Sequence, residues 1–248
     1  MNYLVGDIGN TFIKLSILDN KFKIKRSYHL ETKKIFQDNH KKIFFKKILK
    51  KNLNHNVLFS SVVPKAYKTI KSYLSQKKLR VFEIKELKIK KLLKIRVKNY
   101  NQLGSDRISN AIGSLSYKNC LIVDFGTATT FDIVRNNVYE GGVISPGINL
   151  SILNLNKSTA LLPLLNLKNV QKSYGKNTQE ALNAGFLWGY EGLINNIIKK
   201  IILKTKVDYK IILTGGYAKL FSKYIKKKTI IDQNITIKGI AKAFRELI

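Results

Sequence analysis

Cysteine is almost absent: Cys120 is the sole one in 248 residues. No internal disulfide can form, and no CxxC pair is available for structural zinc. Uncharged apolar runs are short, none reaching the roughly eighteen residues of a membrane-spanning helix, so no membrane partner is expected. The N-terminus, Met1 to Asp7, has neither the basic leader nor the small-residue cleavage site of a secretory signal. These absences together predict a reducing, cytoplasmic setting. Proline occurs three times, and no Pro- or Ser-rich linker divides the chain. Acid is scarce as well: 15 Asp and Glu stand against 46 Lys and Arg, a net charge of +31.

What is present argues for a folded protein. The hydrophobic fraction of 44% and aromatic fraction of 10% are globular values. The excess positive charge would ordinarily suggest a nucleic-acid or anionic partner. The lysines, however, are spread through the chain, as in Lys33-Lys34, Lys77-Lys78, Lys199-Lys200 and Lys226-Lys227-Lys228. Lys, Asn and Ile are abundant together, as AT-rich codon usage gives. No zinc-finger spacing, aromatic RNA-binding box or heptad-coupled basic region accompanies them, so no specific nucleic-acid partner is expected.

Strands alternate with helical stretches, the pattern of an α/β protein. Tyr3–Asp7 and Phe12–Leu18 read as strands about a Gly-Asn turn, and Phe22–Leu30 as a third. A charged, helix-friendly stretch follows from Glu31 to Lys51. Val57–Val63 reads as a buried strand with a helix starting at Pro64. A strand near Val81–Ile84 leads into a lysine-rich stretch read as helical. The second half starts again in the same way: strand Cys120–Asp124, a turn at Phe125–Ala128, and a return strand Thr129–Val134. Asn177 or Thr178 can cap a long helix towards Lys204, with Glu180 at capping-box spacing. Tyr209–Thr214 is a strand, and Gly239–Ile248 a short amphipathic helix. The repetition suggests a duplicated domain, with residues 1–116 and 117–248 as the two halves.

The chemistry gathers at the two hairpins. In Asp7-Ile8-Gly9-Asn10-Thr11, glycine lets backbone amides approach an anion. Asn10 and Thr11 add neutral donors, and Lys14 can reach a phosphate as a point charge. Asp7 makes sense beside phosphates if Mg²⁺ sits between them. Taken alone the segment is equally a plain turn. The second hairpin, Asp124-Phe125-Gly126-Thr127-Ala128-Thr129-Thr130-Phe131-Asp132, sets small residues and hydroxyls around another acid. Facing each other across a cleft, the two could hold a triphosphate. Rival motifs fail. No GxGxxG opens a helix, and Gly175-Lys176-Asn177-Thr178 is not a Walker loop, because Val170 replaces its first glycine. Two such lobes describe the nucleotide site of actins and sugar kinases, and Gly215-Gly216 after a strand suits an adenosine-side turn.

The acceptor side is Leu103-Gly104-Ser105-Asp106-Arg107. Gly104 permits an awkward backbone, the following helix start favours anions, Arg107 can grip a carboxylate, and Asp106 suits a general base. In isolation an Asp-Arg pair here is more often a helix cap.

Together these segments carry a resemblance. The hairpin at Asp7–Thr11, Ser60-Ser61-Val62-Val63-Pro64, Gly104–Arg107, Asp124–Asp132, Gly141–Gly147, Leu162-Pro163, Gly175–Thr178 and Thr214–Gly216 occur in the order and at the spacing of type III pantothenate kinases, which the chain resembles over almost its full length. The resemblance implies two actin-like, ribonuclease H-like domains with the nucleotide cleft between them. It implies phosphorylation of pantothenate by ATP-Mg²⁺, the first step towards coenzyme A. ATP would be lined by Asp7, Ile8, Gly9, Asn10, Thr11, Phe12, Ile13 and Lys14, and met by Thr127. Pantothenate would be received by Gly104, Ser105, Asp106 and Arg107, with Asp106 as base and Thr178 contributing. Asp124 would hold a monovalent cation, potassium or ammonium. A homodimer is also implied, and Gly185, Gly189 and Gly192 on the long helix would allow the close approach of an interface. Relatives kept as accessory regulatory proteins set the alternative: a nucleotide-binding protein with weak catalysis. The family's tyrosine seven residues before Gly104 is replaced by Val97. Either Tyr100 substitutes for it or the contact is missing. His29, His40 and His55 lack metal-ligand spacing, and Trp188, Tyr190 and Cys120 read as packing residues.

Overall fold

The computed structural model describes residues 1–49, 52–167 and 173–248. The end of the Glu31–Lys51 stretch and the Val170 position lie outside the described residues.

The chain forms two compact units. The first contains Met1–Ser116, Asn137–Glu140 and Asn234–Ile248. Strands β1 (Asn2–Ile8), β2 (Phe12–Leu18) and β3 (Ile24–Glu31) form an antiparallel meander. Strands β4 (Leu53–Ser61) and β5 (Arg80–Glu83) then add in parallel, giving the order β3-β2-β1-β4-β5. Parallel addition requires crossovers, supplied by helix α1 (Asp38–Leu49) and helix α2 (Pro64–Ser75). Pro64 occupies the first turn of α2, where its missing N–H costs nothing. Leu4, Ile8, Ile13, Leu15, Val57, Phe59, Ile70 and Leu74 build the core. Gly6 is required there, since a Cβ would stand 2.5 Å from Leu15 Cδ2 and overlap the Phe59 ring.

The lysine-rich stretch after Ile84 departs from the sequence expectation. Instead of a helix it forms two 3₁₀ turns, Ile84–Glu86 and Ile89–Lys91, and a two-residue strand β6 (Lys94–Ile95). Burial of Ile84, Ile89 and Leu93 sets this path, a spacing that no single helix face provides. Tertiary burial thus overrides the helix propensity of lysine. Helix α3 (Ser105–Gly113) closes this part of the chain.

The second unit contains Tyr117–Asn136 and Gly141–Gln233. Its sheet uses β7 (Asn119–Phe125), β8 (Ala128–Arg135), β9 (Val138–Pro146), β10 (Lys210–Gly215) and β11 (Thr229–Ile231). Their order, β9-β8-β7-β10-β11, repeats that of the first sheet. Here β8 returns antiparallel to β7, while β10 and β11 add in parallel. Between β9 and β10 run α4 (Ile148–Lys157) and the 28-residue α5 (Thr178–Thr205); α6 (Ala218–Phe221) precedes β11. Leu121, Val123, Phe131, Leu187, Ile194, Leu213 and Phe221 form this core. No helix among the described residues is long and apolar enough to cross a membrane.

Two segments rejoin the first unit. Val138 and Tyr139, at the start of β9, pair in parallel with β6. The final helix, α7 (Ile235–Leu247), packs along α3 and β1. Its approach to α3 is so close that Cβ atoms at Gly239 and Gly113 would overlap the carbonyl oxygens of Ser109 and Ile235 respectively. Helix α7 thus follows the second unit in sequence and packs with the first.

Candidate active site

In the first unit the Asp7 hairpin is clamped from two sides. The Gly9 N–H donates to the Phe12 carbonyl at 3.0 Å. The buried Thr32 donates its hydroxyl to the Gly9 carbonyl at 2.6 Å and its N–H to that of Thr11 at 2.9 Å. Asn10, Thr11 and Phe12 are exposed on this rigid turn. Ile8 and Ile13 are fully buried. Lys14 stands opposite Asp7 on one side and His29 on the other, and its ammonium donates to Asn234 Oδ1 at 2.7 Å. Burial, with the Lys14 charge adding to it, holds the His29 imidazole below its ordinary pKa.

Strand β4 joins this hairpin to the GSDR segment. Asp7 pairs with Ser60 and Ile8 with Ser61, and the Val62 N–H donates to the Ile8 carbonyl at 3.1 Å. A Cβ on Gly104 would stand 3.6 Å from the Val62 side chain. This is the physical role of the Ser60–Pro64 block.

Gly104 caps α3 with φ −62° and ψ 141°. That is an ordinary extended backbone, so the expected conformational strain is absent. Glycine leaves space instead: a Cβ would overlap Asp106 Oδ1, which folds back over this residue and would have to shift. Asp106 Oδ1 accepts from the Arg107 N–H at 2.8 Å. Burial pushes the Asp106 carboxyl above the usual aspartate range, against the opposing pull of the Arg107 N–H, the Arg107 charge and the Lys85 charge. The Arg107 guanidinium lies 5.9 Å from the centroid of the buried Tyr139 ring, which aims it.

Tyr100 opens a 3₁₀ turn, Tyr100–Gln102, capped by the Asn99 side chain. Burial, helped by the Glu83 charge, raises its phenol pKa. Two residues that sequence reasoning did not single out complete this corner. Glu83, at the end of β5, accepts the Lys85 N–H at 2.7 Å. The Lys85 ammonium donates to the Asn101 carbonyl at 3.0 Å. Glu83 and Glu86 form a capping box about this turn, and their three-residue spacing was the one available signal.

In the second unit Asp124 is the penultimate residue of β7, paired with Thr130 on β8 and Thr214 on β10. Two glycines press on the turn after it. Gly215, at φ +84°, brings its backbone so close that a Cβ would stand 2.5 Å from the Phe125 carbonyl oxygen, and the Gly216 N–H donates to that oxygen at 3.1 Å. A Cβ on Gly147 would overlap the Thr127 carbonyl. Thr127 is exposed. Thr129, directly across from Phe125, buries a hydroxyl that makes no hydrogen bond. The Asp124 carboxylate is an oxygen donor of the kind a hard cation takes.

Asp7 is different. Among the described residues no three His, Cys, Asp or Glu side chains cluster, so a divalent ion there would draw its other ligands from phosphate and water.

Thr178 begins α5 and is exposed. Asn177 is the cap, accepting the Glu180 N–H at 2.9 Å, while Glu180 reaches back to the Lys176 N–H at 2.9 Å. Gly175 passes so close to the helix start that a Cβ would overlap the Ala181 nitrogen, which accounts for the GKNT segment without a phosphate loop. The predicted residues thus fall into two groups. Asp7–Lys14, Tyr100 and Gly104–Arg107 lie in the first unit; Asp124, Thr127 and Thr178 lie in the second.

Comparison with known proteins matches this arrangement to one family. Residues 3–200 match the family model of type III pantothenate kinases. A type III pantothenate kinase of Pelagibacter ubique (strain HTCC1062) is 45% identical over 242 residues, covering 97% of both chains. Among solved structures, a conserved protein assigned to the Baf family of transcriptional activators from Campylobacter jejuni superposes with a TM-score of 0.62 at 21% identity, covering 98% of both chains. An inorganic polyphosphate/ATP-glucomannokinase from Arthrobacter sp. strain KM gives 0.53 at 12% identity, covering 99% of this chain and 97% of that one. At such identities these two show the fold, which is the actin-like, sugar-kinase fold of paired α/β units. The sequence match carries more, and by it the chain belongs to the type III pantothenate kinase family.

Proposed function

We infer that the chain transfers the γ-phosphoryl group of ATP to the primary hydroxyl of pantothenate, giving 4'-phosphopantothenate at the first step of coenzyme A biosynthesis. The observation that carries this reading is the half-buried Asp106 carboxylate, folded over Gly104 at the start of α3, in a chain that belongs to this family.

Asp106 takes the proton of the attacking hydroxyl, and Arg107 and the α3 N-terminus receive the acceptor's carboxylate. Gly104, Ser105 and Tyr100 are further acceptor residues of the first unit, and Thr178 is a substrate residue of the second. The main chain of Gly9–Phe12 and the Lys14 ammonium line the phosphates, and Thr127 is a further ATP contact. Magnesium, when bound with ATP, neutralises phosphate charge beside Asp7. Asp124 holds the monovalent cation. Phosphoryl transfer depends chiefly on such positioning and charge neutralisation, so the base is one contributor among several.

The test is ADP release measured with ATP and pantothenate in potassium, ammonium or sodium. Turnover is expected to require both substrates and to be highest with potassium or ammonium. In Asp124→Asn it is expected to fall at least about tenfold and to lose the distinction between ions. A folded chain that releases no ADP under any of these cations overturns the reading.

We further assign the exposed side of α5 as a homodimer surface. Gly185, Gly189 and Gly192 have open space where a Cβ would stand. Trp188 is 44% and Leu203 64% exposed, and a cavity of about 600 Å³ lies between α5 and Lys226-Lys227. Such apolar exposure on a soluble helix fits a partner. Sedimentation is expected to give a dimer that Trp188→Glu converts to monomer; an unchanged species would remove this surface from consideration.

A further inference from the structure

The turn after β5 has no role in the reading above, yet it touches the acceptor segment repeatedly. The Lys85 ammonium donates to the Asn101 carbonyl at 3.0 Å and lies 5.7 Å from the centroid of the Tyr100 ring. One side chain thus holds the 3₁₀ turn by its backbone and by its aromatic face at once. The Lys85 main chain is itself anchored, because its N–H donates to the Glu83 carboxylate at 2.7 Å. Glu83 is half-buried, and its Oε1 is fully buried and makes no hydrogen bond. A carboxylate left in that state is costly unless surrounding groups favour it. Burial pushes the Glu83 carboxyl above the usual glutamate range, against the opposing pull of the Ser105 hydroxyl, the Lys85 and Ser61 amides and the Lys85 charge. Ser105 is the first residue of α3, and Asp106 the second.

We propose that Lys85 is a positioning residue of the acceptor site, pinning the Tyr100–Gln102 turn beside the start of α3 and placing a positive charge within reach of the Asp106 carboxyl, with Glu83 as its anchor. The proposal rests on the kinase reading and deepens it. Its chemistry separates Lys85 from a residue that merely supports the fold. The charged groups acting on Asp106 are Arg107 from its own helix and Lys85 from the turn after β5, while Glu83 and Tyr100 line the same corner. Both cations favour the ionised Asp106, so losing one raises the pH at which the base becomes protonated.

The experiment is the pH dependence of pantothenate turnover in wild type, Lys85→Met and Lys85→Arg, with unfolding midpoints measured alongside. In Lys85→Met the pantothenate KM is expected to rise about tenfold, the size of a lost charged hydrogen bond, with the ATP KM unchanged. The acidic limb of kcat moves to higher pH, and Lys85→Arg restores the limb. An active wild type whose Lys85→Met variant keeps both the pantothenate KM and the limb overturns the assignment alone. A Lys85→Met variant that lowers the unfolding midpoint while raising both KM values equally, without moving the limb, shows a structural residue and also overturns it. A wild type that turns over no pantothenate overturns the kinase reading, and this assignment with it.

Discussion

Asp106→Asn lowers turnover by about three orders of magnitude, within the span general bases contribute, and leaves the ATP KM within about twofold. The amide keeps the shape and can still accept the Arg107 N–H that now bonds Oδ1 at 2.8 Å. It cannot take a proton. Two further readouts separate loss of a base from loss of structure. Because burial holds the Asp106 pKa above the ordinary range, wild-type kcat declines as pH falls through a value above that of a free aspartate, and the variant's residual rate lacks this limb. Stability moves the other way. A carboxyl with a raised folded-state pKa binds its proton more tightly folded than unfolded. Stability therefore falls as pH rises from the unfolded to the folded pKa, and the cost persists above it. Removing the charge removes that cost, so the unfolding midpoint at neutral pH is not lowered. Equal losses of ATP affinity, turnover and thermal stability would instead make Asp106 a structural residue.

Gly239→Ala destabilises the protein by about 3 kcal/mol, the upper range for overpacking, in a helix where the same change would ordinarily stabilise by about 1 kcal/mol. The sign reverses because of what the new methyl group meets. It overlaps the Ser109 carbonyl oxygen and stands 2.9 Å from the Gly113 nitrogen. Both are backbone atoms of α3 and cannot rotate aside. From the other helix, Gly113 approaches the Ile235 carbonyl as closely. The two glycines let α3 and α7 meet backbone to backbone, and the Thr236 hydroxyl adds a 2.7 Å hydrogen bond to Asn110 Oδ1. Since α3 carries Asp106 at its other end, forcing the helices apart also lowers kcat. Urea unfolding read by circular dichroism checks the prediction, and a variant as stable as wild type refutes the crossing.

Much of the fold was legible because it rests on local periodicity. The three-strand meander, the Pro64 helix start, the Asp124 hairpin and the Asn177 cap all follow from short-range rules. Those rules failed at Ile84–Lys94, where lysine-rich composition reads as helix but three buried apolar side chains set a different path. The site was legible in part for the same reason. Asp7, Asp106 and Asp124 sit at strand ends and a helix start, positions that sequence patterns mark. Glu83 carries only its capping-box spacing to Glu86 and Lys85 no mark at all, since their importance comes from β5 meeting a segment some twenty residues later in the chain.

The sequence by itself determined the repeated hairpins, the order of motifs and hence the family, because these depend on which residue types stand at which spacing. The tertiary structure alone decided why the glycines matter: Gly104 makes room for a carboxylate, Gly215 meets the Phe125 backbone at positive φ, and Gly239 admits another helix. It alone returned α7 to the first unit, and it alone buried Ile8 and Ile13 completely. The physical reason is common to all of these. Excluded volume and burial are properties of atoms brought together from distant parts of the chain, and local spacing does not encode them.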